Sequence, residues 1–358
     1  MVDMIKSDKI RPATISMVAE DAGVSRATVS RAFSSPELLT KETVEKVRAS
    51  AVRLGYVPNQ VARALSTGRS GNIALIVPDI GNPFFSALMR GAQAQAYSRG
   101  YATFLGDSDE KEALEDLLLG KLAAQVDGFV LASPRLDEQR IRAHAALKPL
   151  VVINRDIADI SRILVDTVGS FTQAVRHLVD LGHTTVAYVG GPKASWANQQ
   201  RAQAVTSAAR QYGIQLVLID AIRPSHEAGR VCVGSLLSAG VTAILAVDDL
   251  VAQGIISGLA ALNLSVPGDI SVVGCDNIIA TTMYPPLTTV DAHCAETGAK
   301  AIDLLLHGLS QQSPSRERKI IDGEFISRAS TGPLANSEEA YARRSKAAET
   351  IAQSANPK

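Results

Sequence analysis

A small N-terminal all-α domain followed by an α/β core of two doubly wound, parallel-sheet lobes is the fold class this sequence of 358 residues predicts, and three observations predict it. Between Thr14 and Gly55, three short segments of helical periodicity each begin at a hydroxyl residue. From about Asn72 onward, short β-branched runs alternate with helical stretches, the pattern of parallel strands covered by helices. That texture continues for roughly 260 residues, more than one ordinary domain holds, so two similar lobes are expected.

In the N-terminal segment, Thr14, Ser25 and Thr40 are placed to accept hydrogen bonds from the amides that a helix's first turn leaves unpaired. Ile15, Val18, Ala19 and Ala22 share one face of the first helix, and Val44, Val47, Ala51 and Leu54 one face of the third. Gly23 supplies the turn between the first two helices, and Gly55 ends the third. The second helix buries Val29, Ala32 and Phe33, which leaves Ala27, Ser30 and Arg31 facing outward with Arg26 and Thr28 beside them. A small, polar, cationic face on the second of two closely spaced helices is what entry into the DNA major groove requires. A three-helix domain with a solvated surface shares the caps and stripes; the Gly turn and the polar second helix favour DNA.

The formal net charge is zero, yet residues 1–70 carry 11 Lys and Arg against 7 Asp and Glu, a local excess of +4. This suits a polyanionic partner but is equally what a solvated basic face gives. Cys232, Cys275 and Cys294 lack the short paired spacing of a zinc or redox motif, so free thiols are expected, with no metal or other cofactor. Met1 to Arg11 contains no apolar signal stretch, and no apolar run reaches the roughly 20 residues of a membrane span. A cytoplasmic protein with no membrane partner is the expectation.

Core strands are expected at Ile73–Val77, Ala102–Leu105, Gly128–Leu131, Leu150–Ile153, Thr185–Val189, Ala243–Val247 and Ser271–Gly274. The end of the chain, 333–358, is rich in Ala, Ser, Glu, Lys and Arg but has no Leu/Ile heptad, and is expected to be a flexible tail.

The run "TISMVAEDAGVSRATVSRAFS" followed by "LTKETVEKVRASAVRLGYVPNQVARALSTGRS" resembles the headpiece and hinge of the LacI/GalR family of transcriptional regulators. The core adds "NIALIVPDIGNPFFSALMRG", "HLVDLGHTTVAYVGGP", "AILAVDDLVAQGI", "VPGDISVVGCDN" and "PPLTTV" in the family's order, so the resemblance spans Ala13 to Thr331. It implies a helix-turn-helix headpiece over 13–57, a hinge over 58–71 and a periplasmic-binding-protein-like core. The first lobe would comprise 72–165 with 292–323, and the second 166–291 with 324–332, the chain crossing near Asp166, Asp291 and Gly323.

By the same resemblance, Arg26, Ala27 and Arg31 face bases while Ser25, Thr28 and Ser30 contact phosphates of double-stranded DNA, with Thr14, Asn59 and Arg63 completing the DNA-binding set. Leu65 resembles the family's hinge leucine, a minor-groove wedge supplied from each half of a dimer; an ordinary core leucine on a linker helix is the alternative. One headpiece reads only half of a palindromic operator, so a homodimer is implied. Tetramerisation is disfavoured by the tail.

A small-molecule effector, a sugar or polyol by default, would sit between the lobes, at the carboxyl ends of the strands. Asn82, Phe84 and Phe85 belong to the family's "NPFF" motif, and one of the two rings, not both, is expected to face the cleft. Asn154, Arg155, Arg201, Asp248 and Asp276 resemble effector-contacting positions, although relatives often carry an acid at Asn154 and an aromatic residue at Cys275. Trp196 is read either as a lid on the pocket or as packing within a lobe.

Other function classes fare worse. Asp248 and Asp249 are adjacent, hence poorly placed as an acid/base pair, and Asp249 is expected to cap the next helix. "VGGPKAS" lacks the Gly-Lys-Ser/Thr ending of a nucleotide loop, and the six histidines form no metal-ligand pattern, so no enzyme is expected. A solute-binding receptor fits the core but not the headpiece. A purine or nucleoside effector, stacked on Phe84, Phe85 or Trp196, is the alternative within the regulator class.

Overall fold

The computed structural model describes residues 13–57, 68–220, 223–311, 316–335 and 338–354. The chain divides into two units, Met1–Ser70 and Gly71–Lys358. Asn59, Arg63 and Leu65 lie outside the described residues.

The first unit contains α1 (Ile15–Asp21), α2 (Arg26–Ser34) and α3 (Lys41–Leu54). Each cap forms: Thr14 Oγ1 accepts from the Met17 N–H, Ser25 Oγ from Thr28 and Thr40 Oγ1 from Thr43. Gly23 and Gly55 hold φ of 58° and 65°, the left-handed region that a side chain disfavours. Val18, Ala22, Val29, Ala32, Val47 and Ala51 form the core, with the Phe33 and Tyr56 rings 6.1 Å apart at its edge. The small residues of this core are what let three short helices approach closely.

In the second unit, β1 (Asn72–Val77), α4 (Pro83–Ser98), β2 (Ala102–Asp107), α5 (Glu112–Leu122), β3 (Gly128–Ala132), α6 (Glu138–Leu147), β4 (Leu150–Ile153) and β5 (Ser161–Asp166) build the first lobe. The second lobe repeats the alternation with α7 (Val168–Asp180), β6 (Thr185–Gly190), α8 (Trp196–Tyr212), β7 (Gln215–Asp220), α9 (His226–Ser238), β8 (Ala243–Ala246), α10 (Asp249–Ala261), β9 (Ser271–Asp276) and β10 (Thr288–Asp291). The chain then returns to the first lobe for α11 (Cys294–Ser310) and β11 (Arg318–Asp322), and crosses back for β12 (Glu324–Ile326) and α12 (Glu338–Ser354).

The first sheet has the order β11-β5-β4-β3-β1-β2 and the second β12-β10-β9-β8-β6-β7. Their ladders are parallel except that β12 runs antiparallel to β10. In each sheet the winding direction reverses beside the first strand, β1 or β6, and such reversals open a crevice at the carboxyl ends of the strands. The crossings between lobes are tied to one another: the Gly323 N–H donates to Asp166 O at 2.7 Å, and Ser170 Oγ donates to Gly323 O at 2.7 Å. Among the described residues no helix is long and apolar enough to cross a membrane.

The end of the chain corrects an expectation. Residues 338–354 form α12, which buries Ala340 and Ala347 and sets Ile351 against α9 at Gly234. Arg343 Nε donates to Asp269 Oδ1 at 2.8 Å and fastens the helix to the second lobe. Its apolar stripe consists mainly of alanine, and a search for Leu or Ile heptads passes over it.

Helices α4 and α11 pack with almost no separation. A Cβ built on Gly91 would lie 1.9 Å from Ala295 O, and one on Gly298 would lie 2.0 Å from Leu88 O. Neither backbone can yield without moving a whole helix. Gly91→Ala is therefore expected to destabilise the core by about 1–3 kcal/mol or more, measured by urea unfolding; an unchanged midpoint would show that the helix pair is not the constraint described.

Candidate functional site

On α2, Ser25, Arg26, Ala27, Ser30 and Arg31 are exposed, Thr28 is half-buried with its hydroxyl 2.9 Å from Ser25 Oγ, and Val29 and Ala32 are fully buried. Thr14, the cap of α1, is exposed as well. The ion pair within this unit joins Arg53 to Asp21 and leaves the Arg26 and Arg31 guanidiniums outside it. The helix thus presents two cations and short hydroxyls on one side while its other side holds the core.

The second site lies between the two lobes, where a cavity of about 60 Å³ is lined by residues that follow the carboxyl ends of the strands. Asn82, Glu110, Ser133, Arg135 and Asn154 come from the first lobe, and Ser195, Asn198, Arg201, Asp248 and Asp276 from the second. Ser133, Asn154 and Asp276 hold positive φ of 45°, 54° and 107°, so strained backbone gathers here, as it does at functional sites. A larger cavity of about 290 Å³ lies elsewhere in the first lobe, near Leu147, Leu150 and Leu305. It lacks such a convergence of buried polar side chains.

Asn82 caps α4 through Oδ1, which accepts from the Phe84 N–H at 3.0 Å, while its Nδ2 crosses to Asp248 Oδ2 at 2.8 Å. Asp248 in turn caps α10, its Oδ1 accepting from the Val251 N–H at 2.8 Å. Arg201, buried, donates from Nη1 to Val247 O at 2.6 Å and lies over the Phe171 ring, with Nη2 3.7 Å from Asp276 Oδ1. That Asp276 oxygen is buried and has no hydrogen-bond partner among the described residues. An acceptor so placed is open to a donor that enters the cleft.

Burial pushes the Asp248 and Asp276 carboxyls above their usual range, against the opposing pull of Asn82 and the Val251 amide on the first and of Arg201 on the second. Burial also works against the Arg201 charge, but the acidic groups around it, Asp276 among them, outweigh that and hold the guanidinium protonated. Arg135 is clamped on Glu110 through both Nε and Nη2, and its Nη1 donates to Ser133 O at 2.6 Å. Asn154 Oδ1 accepts from the Val165 N–H at 3.0 Å, leaving the amide nitrogen for the cleft.

Of the cleft residues expected from sequence, Asn82, Phe84, Phe85, Asn154, Arg201, Asp248 and Asp276 line the cavity together. Four expectations need correction. Both phenylalanines line it, in a T-shaped pair with centroids 4.9 Å apart. Arg155 does not, and Trp196 faces a separate cavity beside Leu164, Thr167 and Gln200. Arg155 follows Asn154, whose left-handed φ of 54° turns the chain as it leaves β4, and Trp196 sits five residues, about 140° of helix, from Arg201. The cap of α10 is Asp248, not Asp249, whose Oδ1 accepts from Thr289 Oγ1 at 2.7 Å and Oδ2 from the Ile278 N–H at 3.0 Å. Glu110, Ser133, Arg135 and Asn198 were missed; their places just past β2, β3 and β6 were the available signal.

A helix-turn-helix unit joined to a two-lobed core with a polar cleft defines a ligand-binding DNA regulator rather than an enzyme, and comparison with known proteins names the class. "Bacterial regulatory proteins, lacI family" matches residues 14–59, and "Periplasmic binding protein-like domain" matches 175–331. The HTH-type transcriptional repressor CytR of Escherichia coli (strain K12) is 32% identical over 334 residues, 90% of this chain and 97% of that protein. The lac repressor dimer bound to operator and the anti-inducer ONPF superposes with a TM-score of 0.80 at 28% identity, covering 91% of this chain and all of that one. A LacI family regulator from Enterococcus faecium with bound ribose gives 0.68 at 30% identity, over 74% of this chain and all of its own. The chain belongs to the LacI family of DNA-binding transcriptional repressors.

Burial raises the Asp249 carboxyl from 3.8 to about 6, against the Thr289 hydrogen bond that lowers it. A carboxyl whose folded pKa exceeds its unfolded one binds more protons when folded, so its contribution falls as pH rises between those values. Stability relative to Asp249→Asn is expected to drop by about 2 kcal/mol between pH 4 and pH 6, in urea titrations; parallel pH profiles would contradict the assignment.

Proposed function

We propose that the protein, acting in the cytoplasm as a homodimer, represses transcription from a palindromic operator, and that a small carbohydrate or polyol bound between the lobes sets its operator affinity. The observation that carries the ligand reading is the orphan Asp276 oxygen beside Arg201, Asp248 and Asn82, a set of convergent donors and acceptors matched to vicinal hydroxyls. The Phe84 and Phe85 rings supply the apolar face that the C–H side of a sugar packs against. They also favour the second reading, a nucleoside or purine stacked on one of them.

On the DNA side, Arg26, Ala27 and Arg31 read bases in the major groove, while Ser25, Thr28, Ser30 and Thr14 hold the backbone. The hinge residues Asn59, Arg63 and Leu65 extend the contact into the minor groove. Dimerisation is supported by the outer strands, where Phe104 and Leu105 on β2 and Leu218 on β7 leave apolar side chains exposed. Ligand entry is accompanied by a change in the angle between the lobes, whose cavity measures about 60 Å³. Changing the lobe angle then favours or opposes the DNA-bound arrangement of the hinge.

Selection of duplexes from a random pool by the purified protein is expected to return a two-fold symmetric site. Arg31→Ala is expected to weaken that site by about 1–3 kcal/mol and to relax the sequence preference at one position per half-site. Failure to enrich any site, with the headpiece shown to be folded, would refute the proposal.

A further inference from the structure

We infer that the cleft selects an unphosphorylated ligand, neutral or cationic, and rejects phosphate esters; this rests on the reading of the cleft as the effector site. Five charged side chains line the cavity, the acids Glu110, Asp248 and Asp276 and the bases Arg135 and Arg201. Arg135 spends three donors on Glu110 and Ser133 O, and once that pair is set aside two acids, Asp248 and Asp276, stand against one base, Arg201, which donates to Val247 O and to Thr167 Oγ1 at 3.4 Å and holds Nη2 3.7 Å from Asp276 Oδ1.

Helix N-termini are the other ready source of anion binding, because their first amides are unpaired and their dipole is positive. The capping residues of α4, α8 and α10 all line this cavity, and each closes its own helix. Asn82 Oδ1 takes the Phe84 amide, Ser195 Oγ the Asn198 amide at 3.3 Å and Asp248 Oδ1 the Val251 amide. The cap of α10 is itself an acid. Each cap already takes one of its helix's first amides, and at α10 the anion position is held by the Asp248 carboxyl.

Two cations beyond the cavity lining are matched as well. Arg223 pairs with Asp79 at 3.0 Å and with Asp109 at 2.6 Å, joining the two lobes, and Lys193 pairs with Asp220 at 3.2 Å. What the cleft leaves open is an acceptor, the Asp276 oxygen, which takes a hydroxyl or N–H and repels a phosphoryl oxygen. A phosphate ester would bring further negative charge among buried acids that already outnumber the one lining base outside the Glu110–Arg135 pair, Arg201, a burial that is strongly disfavoured.

The test is isothermal titration calorimetry of the full chain with matched pairs: ribose and ribose 5-phosphate, fructose and fructose 6-phosphate, cytidine and cytidine 5′-monophosphate. At least one parent compound is expected to bind, with its ester weaker by about tenfold or more. An ester that binds as tightly as its parent overturns the inference, as does a panel in which no parent binds. Asp248→Asn keeps a capping oxygen and removes one negative charge, and it is expected to narrow the ester-to-parent ratio several-fold; an unchanged ratio also overturns it. Operator affinity measured on the same samples separates the two levels. An ester that binds and shifts operator affinity defeats the charge rule and leaves the effector reading standing, whereas cleft binding without any operator response defeats the reading itself.

Discussion

The buried side-chain hydrogen bond from Asn82 Nδ2 to Asp248 Oδ2 spans the cleft and ties the start of one lobe's helix to the start of the other's. Asn82 uses its Oδ1 and Asp248 its other carboxyl oxygen, Oδ1, to cap its own helix, so neither can rotate without releasing a helix terminus. Both are buried, where a hydrogen bond to a carboxylate is strong and an unmade one costly.

The crossings translate lobe spacing into a restricted motion. Three connections join the lobes, and two of them are hydrogen-bonded through the Gly323 amide and Asp166 O. Short connections of this kind permit hinge bending and resist sliding. The first lobe opens the second unit with β1. The close helix pair α4 and α11 keeps that lobe rigid enough to move as a body.

Much of this was legible in the sequence because the signals are local. Hydroxyl caps, the Gly turn and the alanine-lined core of the headpiece each depend on a few adjacent residues. The central strands read clearly because burial on both faces demands an unbroken apolar run, as in Ile73–Val77. β5 and β7 were passed over: one mixes Ser161, Arg162 and Asp166 into its run, and the other is an edge strand with exposed positions. The docked helix α12 was passed over because its stripe is alanine. At the cleft, motif matches located the residues, but which of two neighbours faces inward is decided by tertiary geometry, and so the roles of Asp248 and Asp249, the pairing of Phe84 with Phe85 and the displacement of Trp196 could not be read. Glu110 and Arg135 belong to loops with no motif, and only the topology of β2 and β3 brings them to the cavity.

The most direct test of the account is operator affinity, by fluorescence anisotropy, with and without a compound that calorimetry shows to bind the core, in the wild type and in Asp276→Asn. A change of about 5- to 150-fold in the wild type, lost in the variant while its affinity for operator alone is kept, is the predicted result. A bound compound that leaves operator affinity unchanged would contradict the claim that the cleft controls the headpiece.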